Sequence, residues 1–306
     1  MTMVIGAVVQ AGTPLFDKAA TFEKLADLVS DAASRGAQLV VMPEAFVGGY
    51  PKGLDFGVRL GSRTPEGRDM FRRYVEHAIE VPGSDADAIG EIVAKAGVYL
   101  VVGVVERDGG TLYCTALYFA PNGSLLGKHR KLMPTALERV VWGFGDGSTL
   151  IAPQTDIGIL GGAICWENYM PQLRLAMYGK GVEFYCAPTV DDRKVWLPTM
   201  QTIALEGRCF VLSACQYMER GHGPDDYHPI QGEAADTVLI NGGSCIVSPM
   251  GEVLVEPVFG KEIVQLAELD KDDIIRGKYD LDIVGHYARP DIFSLTVNEE
   301  PQKLVR

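Results

Sequence analysis

The chain has no Cys-x-x-Cys pair, no apolar run of membrane-spanning length and no excess of basic residues. Each lack removes a class of function. The six cysteines are Cys114, Cys165, Cys186, Cys209, Cys215 and Cys245, most of them inside apolar, strand-like segments. Neither a disulfide framework nor a zinc site is indicated. Reduced thiols and a cytoplasmic protein are the expectation. The opening run Met3–Gln10 has no Lys or Arg before it and is too short to span a bilayer, so it reads as a first strand and not as a targeting segment. With 40 acidic against 28 basic residues the formal charge is -12, which argues against nucleic acid and against an anionic membrane surface as partners. No linker of biased composition divides the 306 residues, so residues 1–306 are expected to form one domain.

What is there is apolar, at 47% of residues, and arranged in alternating elements. The spacing of Phe22, Leu25, Leu28, Val29 and Ala32 predicts a helix from about Phe16 to Arg35. Gln38–Met42 reads as a short buried strand. Val47–Met70, rich in Gly, Pro and Arg, reads as a long surface excursion. Ser84, with Asp87 three residues on, is expected to cap a second helix that stops at Gly97. Val98–Glu106 and Thr111–Phe119 flank Asp108-Gly109-Gly110 as a hairpin. After Ile157–Ile164, taken as a buried strand, helices are expected over Pro171–Lys180 and Trp196–Gly207, with Glu183–Ala187 and Cys209–Ala214 as strands. Glu219–Asp236 reads as a polar loop. Two more strands pair around Pro249-Met250-Gly251, and a strand and short helix follow over Glu262–Tyr279. Strands alternating with helices, interrupted by hairpins, predict mixed sheets covered by helices.

Three residues stand where chemistry is done. Cys165 follows a Gly pair at the end of a predicted strand and precedes a helix, and open α/β sheets place ligands at such carboxyl ends. Taken alone it reads first as a small buried apolar residue. Glu44 follows the Gln38–Met42 strand with only Pro43 between them, at the sheet's carboxyl edge, where a solvated loop glutamate is an equal reading. Lys131 lies in the charged stretch His129–Arg139, which by itself is a solvated face. A thiol needs a base or a cation beside it to be a useful nucleophile. None of the five histidines forms a recognisable Cys–His motif. A carboxylate base with a lysine is the other solution: the carboxylate takes the proton and the ammonium supports the anion that develops on the substrate. Spacing does not bring residues so distant in sequence together.

Longer blocks of sequence carry a resemblance. They are Val41-Met42-Pro43-Glu44-Ala45-Phe46 with Gly49-Tyr50-Pro51, and His129-Arg130-Lys131-Leu132 with Pro134-Thr135 and Glu138-Arg139. Cys165-Trp166-Glu167-Asn168-Tyr169-Met170-Pro171 and Ala204-Leu205-Glu206-Gly207 follow, then Gly285-His286-Tyr287 and Arg289-Pro290. In this order they resemble the nitrilases of the carbon–nitrogen hydrolase superfamily, and the Cys-Trp-Glu-Asn form is similar to the true nitrilase branch. The resemblance implies a single-domain, four-layer α-β-β-α sandwich of mixed sheets, with Glu44, Lys131 and Cys165 in one pocket. It implies Glu138 as a second glutamate that positions Lys131 or the substrate, and the backbone N–H of Trp166 as a donor to developing negative charge. Tyr50, Trp142, Trp166 and Trp196 become candidate substrate-binding residues, although the tryptophans also read as plain core aromatics. No metal or other cofactor is implied. The implied partner is a small nitrile, in a homo-oligomer built from dimers, with the C-terminal tail from about residue 286 at a subunit interface. Amidase or carbamoylase activity with the same three residues, a hydratase that stops at the amide, and a non-enzymatic assembly module are the competing readings.

Overall fold

The computed structural model describes residues 3–302. The chain opens with β1 (Met3–Gln10), α1 (Lys18–Ser34) and β2 (Leu39–Val41). A small hairpin of β3 (Val58–Arg59) and β4 (Ser62–Arg63) leads to α2 (Pro65–His77) and α3 (Ser84–Ala96). Three long strands follow: β5 (Tyr99–Asp108), β6 (Thr111–Phe119) and β7 (Leu125–Arg130). The second half runs β8 (Leu160–Gly162), α4 (Pro171–Gly179), β9 (Phe184–Cys186), α5 (Trp196–Gly207), β10 (Phe210–Ser213). It closes with β11 (Tyr217–Glu219), β12 (Val238–Asn241), β13 (Cys245–Val247), β14 (Val253–Val255), β15 (Ile263–Asp270) and α6 (Asp272–Lys278).

The strands form two main sheets, ordered β15-β1-β2-β5-β6-β7 and β14-β13-β10-β9-β8. Each contains a parallel block, β1-β2-β5 inside the first and β8-β9-β10 at one edge of the second, extended by antiparallel strands. The alternation of side chains assigns the layers. In β2, Leu39 and Val41 point between the sheets, while Val40 joins Leu25 and Val29 of α1 and Ile89 and Val93 of α3. In β9 and β10, Phe184, Cys186, Phe210 and Leu212 face the same inter-sheet core. Their neighbours Tyr185 and Val211 meet Met177 of α4 and Met200, Ile203 and Ala204 of α5. Helices therefore cover the outer face of each sheet, giving the α-β-β-α sandwich. Strands buried on both faces read as nearly continuous apolar runs, as β2, β9 and β10 do. The sheets approach closely at Gly6, where an added Cβ would lie 2.9 Å from Leu212 of the other sheet.

Several elements depart from the sequence reading. Helix α1 begins at Lys18 behind an Asp17 cap, because Phe16 takes a positive φ of 61°. The Val47–Met70 excursion is not irregular throughout. Its end is the first part of α2, capped by Thr64 with Pro65 in the first turn. Ser84 is not a cap: it is the first residue of α3, and Gly83 stands at the cap position without a side-chain bond. Of the predicted Ile157–Ile164 strand only Leu160–Gly162 joins the sheet, Ile159 making a single antiparallel bridge to Gln154. The stretch after the polar loop forms β12, paired with β11. Among the described residues no helix is long and apolar enough to cross a membrane.

Candidate active site

Strand β2 inside the first sheet, β7 at its edge and β8 at the edge of the second carry the candidate residues to one end of the sandwich. Glu44 follows β2 in a tight turn held by Ala45 at φ 49°. Gly103 of β5 makes the turn possible, since a Cβ there would stand 2.6 Å from the Glu44 Cα. Gln216 fixes the same turn by donating from Nε2 to the Glu44 carbonyl at 2.7 Å. Lys131 leaves the end of β7 with its N–H on the Cys114 carbonyl at 2.8 Å. Cys165 follows β8 and opens a single 3-10 turn, Cys165–Tyr169. Its φ is 52°, a left-handed conformation that non-glycine residues rarely adopt and that clusters at functional sites. Its own N–H is bonded to the Pro188 carbonyl at 2.8 Å, whereas the Trp166 N–H has no acceptor among the described residues.

These side chains form one buried cluster. Lys131 Nζ donates to Glu44 Oε1 at 2.6 Å and to Glu138 Oε2 at 2.8 Å. Glu138 is itself held: the Thr135 N–H donates to Oε2 at 2.6 Å and the Tyr50 hydroxyl to Oε1 at 2.7 Å. The Cys114 thiol donates to Glu44 Oε1 at 3.4 Å. Glu44 Oε2 is buried and has no hydrogen-bond partner among the described residues. It is the one carboxylate oxygen of the pair on Lys131 left free to receive a proton.

The electrostatics follow from burial. Burial raises the Glu44 pKa and Lys131 pulls it back, with Glu138 adding to the rise; contact with the Cys165 thiol lowers it. Burial alone would discharge Lys131, but Glu44 and the other acidic groups around it hold its pKa well above normal, so it stays an ammonium. Burial and the Glu44 charge push the Cys165 thiol far up, against Lys131 and a hydrogen bond with Thr189. The resting site therefore holds a thiol, not a thiolate. Proton removal must accompany bond formation, and a carboxylate of raised pKa is suited to it.

Cys165 opens onto a cavity of about 240 Å³ bounded by Tyr50, Glu138, Trp166, Val190, Asp191 and Arg193. An adjoining cavity of about 260 Å³ shares Tyr50 and Glu138 and adds apolar walls from Leu54, Phe56, Val141 and Trp142. The structure thus places Tyr50, Trp142 and Trp166 at the cavities. Trp142 stacks edge-on to Tyr50, 5.7 Å between ring centres, under the Lys131 ammonium at 5.6 Å. Trp166 is 42% exposed and donates from Nε1 to Asp191 at 2.8 Å, with the Arg193 guanidinium over its ring.

Trp196 is different. It is buried among Met200, Ile203 and Tyr185, and its Nε1 donates to Ser213 at 2.8 Å, so it lines neither cavity. It reaches the site through Tyr169, which stands edge-on between Trp166 and Trp196, and through its own backbone N–H, which donates to the Arg193 carbonyl at 2.9 Å.

Sequence reading missed Asp191, Arg193 and Glu167. Asp191 and Arg193 lie in the loop between β9 and α5, whose course no periodicity reveals. Glu167 was part of the Cys-Trp-Glu-Asn block, but the partners that define it are 35 and 38 residues away. All six cysteines are free and buried, and no cluster of His, Cys, Asp and Glu suited to a metal occurs among the described residues.

A family profile described as carbon-nitrogen hydrolase matches residues 7–279. An aliphatic nitrilase of Sinorhizobium fredii (strain HH103) is 56% identical over 305 residues, 100% of this chain and 99% of that one. A bifunctional nitrilase/nitrile hydratase of Lupinus angustifolius is 54% identical over 303 residues, 97% of this chain and 87% of that one. The crystal structure of Saccharomyces cerevisiae Nit3 matches the fold with a TM-score of 0.71 at 20% identity, covering 94% of this chain and 97% of that one. With this fold, this buried Glu–Lys–Cys cluster and relatives of this closeness, the chain belongs to the carbon–nitrogen hydrolase family, in its nitrilase branch.

Proposed function

We propose that the protein hydrolyses an organic nitrile to its carboxylic acid and ammonia through covalent intermediates on Cys165. The observation that carries this reading is the free, buried Glu44 Oε2 beside a protonated thiol, with Lys131 held between two carboxylates. Glu44 takes the thiol proton as sulfur bonds to the nitrile carbon. One C–N π bond moves onto nitrogen, which receives that same proton from Glu44 with charge support from Lys131, so Glu44 is again a carboxylate, and the Trp166 N–H bears part of the developing charge. The product of this step is a thioimidate. Glu44 then deprotonates a water that adds to the same carbon. Protonated nitrogen leaves as ammonia and a thioester remains. A second water releases the acid and restores the thiol, so one nitrile consumes two waters. Glu138 keeps the ammonium aimed, with Tyr50 and Thr135 fixing its own carboxylate. Every step is proton transfer and charge support by these side chains, with no call on a metal or other cofactor.

The intermediate formed by the first water has a second exit. If sulfur leaves before nitrogen, the amide is released. The lupin relative is named for both activities, which favours testing both exits here. A panel of aliphatic, arylaliphatic and aromatic nitriles, with ammonia, acid and amide measured together, tests the reading. Acid and ammonia in equal amounts are expected, with amide the minor product. Turnover of amides with none of nitriles would favour an amidase instead.

The reading extends to assembly and location. Leu175 of α4 and Tyr287, Phe293 and Leu295 of the C-terminal segment line an apolar groove of about 580 Å³, and Ile292 is exposed beside them. This segment is anchored to the body by Glu299 on Lys180 at 2.6 Å and by the Gln302 N–H on Asp146. A dimer that buries α4 and the chain from about residue 286 is the basic unit of this proposal. Size exclusion with light scattering should give a dimer or a multiple of it, and Phe293→Asp should shift it toward monomer. A stable, active wild-type monomer contradicts the dimer. Six free thiols support the reducing cytoplasm as its compartment.

A further inference from the structure

Glu167 and His129 lie outside the reaction cavity, yet both are buried and both are ionisable. Every hydrogen-bonding position of the Glu167 carboxylate is directed at the framework of the site. Oε1 accepts the Leu132 N–H at 2.6 Å, and Oε2 accepts the Ile164 N–H at 2.8 Å. His129 Nε2 stands 3.0 Å from Oε2 and 3.3 Å from Oε1. Leu132 is the residue after Lys131, at the end of a strand of the first sheet. Ile164 is the residue before Cys165, at the end of a strand of the second. One carboxylate thus ties the two sheets together at the points where they deliver the ammonium and the thiol.

His129 supplies the opposite charge. Its Nδ1 lies 3.2 Å from the Thr149 carbonyl, which only accepts, and its Nε2 faces a carboxylate, which only accepts. Both ring nitrogens must donate, so the ring is an imidazolium. A buried carboxylate with no such partner is strongly disfavoured. The other charged groups nearby point elsewhere: Lys128 and Arg130, its chain neighbours, both donate to Glu106. Tyr118 of β6 and Tyr185 of β9 face Glu167, and burial keeps both neutral.

We propose that Glu167 and His129 form a positioning pair that sets the separation of Lys131 from Cys165. Loss of the His129 proton at high pH removes a donor from the pair and loosens both strand ends. The pair deepens the nitrilase reading, which it uses only for its choice of substrate.

The test uses the full-length protein and three readouts: kcat and KM for a turned-over nitrile, the pH profile of kcat, and the rate of Cys165 alkylation by iodoacetamide. Glu167→Gln presents an amide NH₂ where one of the two backbone N–H groups needs an acceptor. A displacement on the order of 1 Å at a reacting pair costs about 10²-fold. Folded Glu167→Gln should therefore lose about 10²-fold in kcat with KM little changed, a split that a merely structural role would not give. His129→Gln keeps a donor for Glu167 but no titrating group. Wild-type kcat should fall as pH rises through the His129 pKa, which burial lowers but Glu167 raises to a net increase; in His129→Gln that limb should be absent.

Wild-type kcat in folded Glu167→Gln overturns the pair. If that variant does not fold, an unchanged alkaline limb in His129→Gln overturns it, and loss of the limb supports it. If the wild type turns over no nitrile, the nitrilase reading fails but the pair is still decided by alkylation. Altered rate and pH dependence at Cys165 in the variants support it, and rates equal to wild type overturn it.

Discussion

Cys165→Ala is expected to abolish ammonia release from nitriles while the protein stays folded. The expected effect is the largest of any single substitution, because no other side chain in the cavity can form the covalent intermediates. The variant should fold because an alanine removes one buried sulfur at a position whose φ is held by the surrounding turn, where Asn168 donates to the Cys165 carbonyl at 2.8 Å. The other thiols provide the control. Cys209 and Cys245 lie in the layer between the second sheet and its helices, and burial pushes each thiol up to about 12. Cys209→Ala and Cys245→Ala should keep their activity with some loss of stability. Ammonia release at a substantial rate by folded Cys165→Ala ends the covalent reading.

Glu44→Gln is expected to lower kcat by at least about 10²- to 10⁴-fold, the usual contribution of a general base, because both the thiol and the water steps need it. Glutamine keeps the side-chain shape, and Lys131 retains Glu138 at 2.8 Å as its counter-charge, so the site stays assembled. The pH dependence carries a sign. Glu44 acts as a base only when ionised, and burial raises its pKa although Lys131 opposes the shift. Activity should therefore fall on acidification at a pH above the usual carboxylate range, and Lys131, held charged, should not contribute to that limb. Lys131→Arg tests the cation. A planar guanidinium cannot take the place of a compact ammonium wedged between Glu44 and Glu138, and kcat should fall with it. Near-normal kcat in either variant shows that the base or the cation has been misassigned.

The parts of the fold that were legible are those whose burial is one-sided or complete. Helix α5 begins and ends where Trp196, Met200, Ile203 and Ala204 said it would. Helix α2 was hidden because only Gly67 and Tyr74 of its thirteen residues are buried, so Arg68, Asp69, Arg72, Arg73 and Glu76 erase its period. Its start was nevertheless signalled by Thr64-Pro65. The site was legible in its parts and not in its assembly. Glu44, Lys131 and Cys165 each follow a strand, but only the sheet order brings β2, β7 and β8 to one end. Trp196 shows the limit of reading aromatics. At the head of an amphipathic helix the same residue serves as core or as cavity wall, and here the Ser213 hydroxyl holds it in the core. Glu167 was hidden for another reason: two of its three partners, His129 and Leu132, come from a stretch 35 to 38 residues away in sequence.

The most direct test is rapid acid quench of the wild-type enzyme during turnover of a nitrile, followed by intact and peptide mass spectrometry. The account predicts a transient species heavier by one nitrile (the thioimidate) or by the acyl group (the thioester), mapped to Cys165 and to no other residue. Turnover with no adduct at any quench time, or an adduct at a different residue, would contradict it.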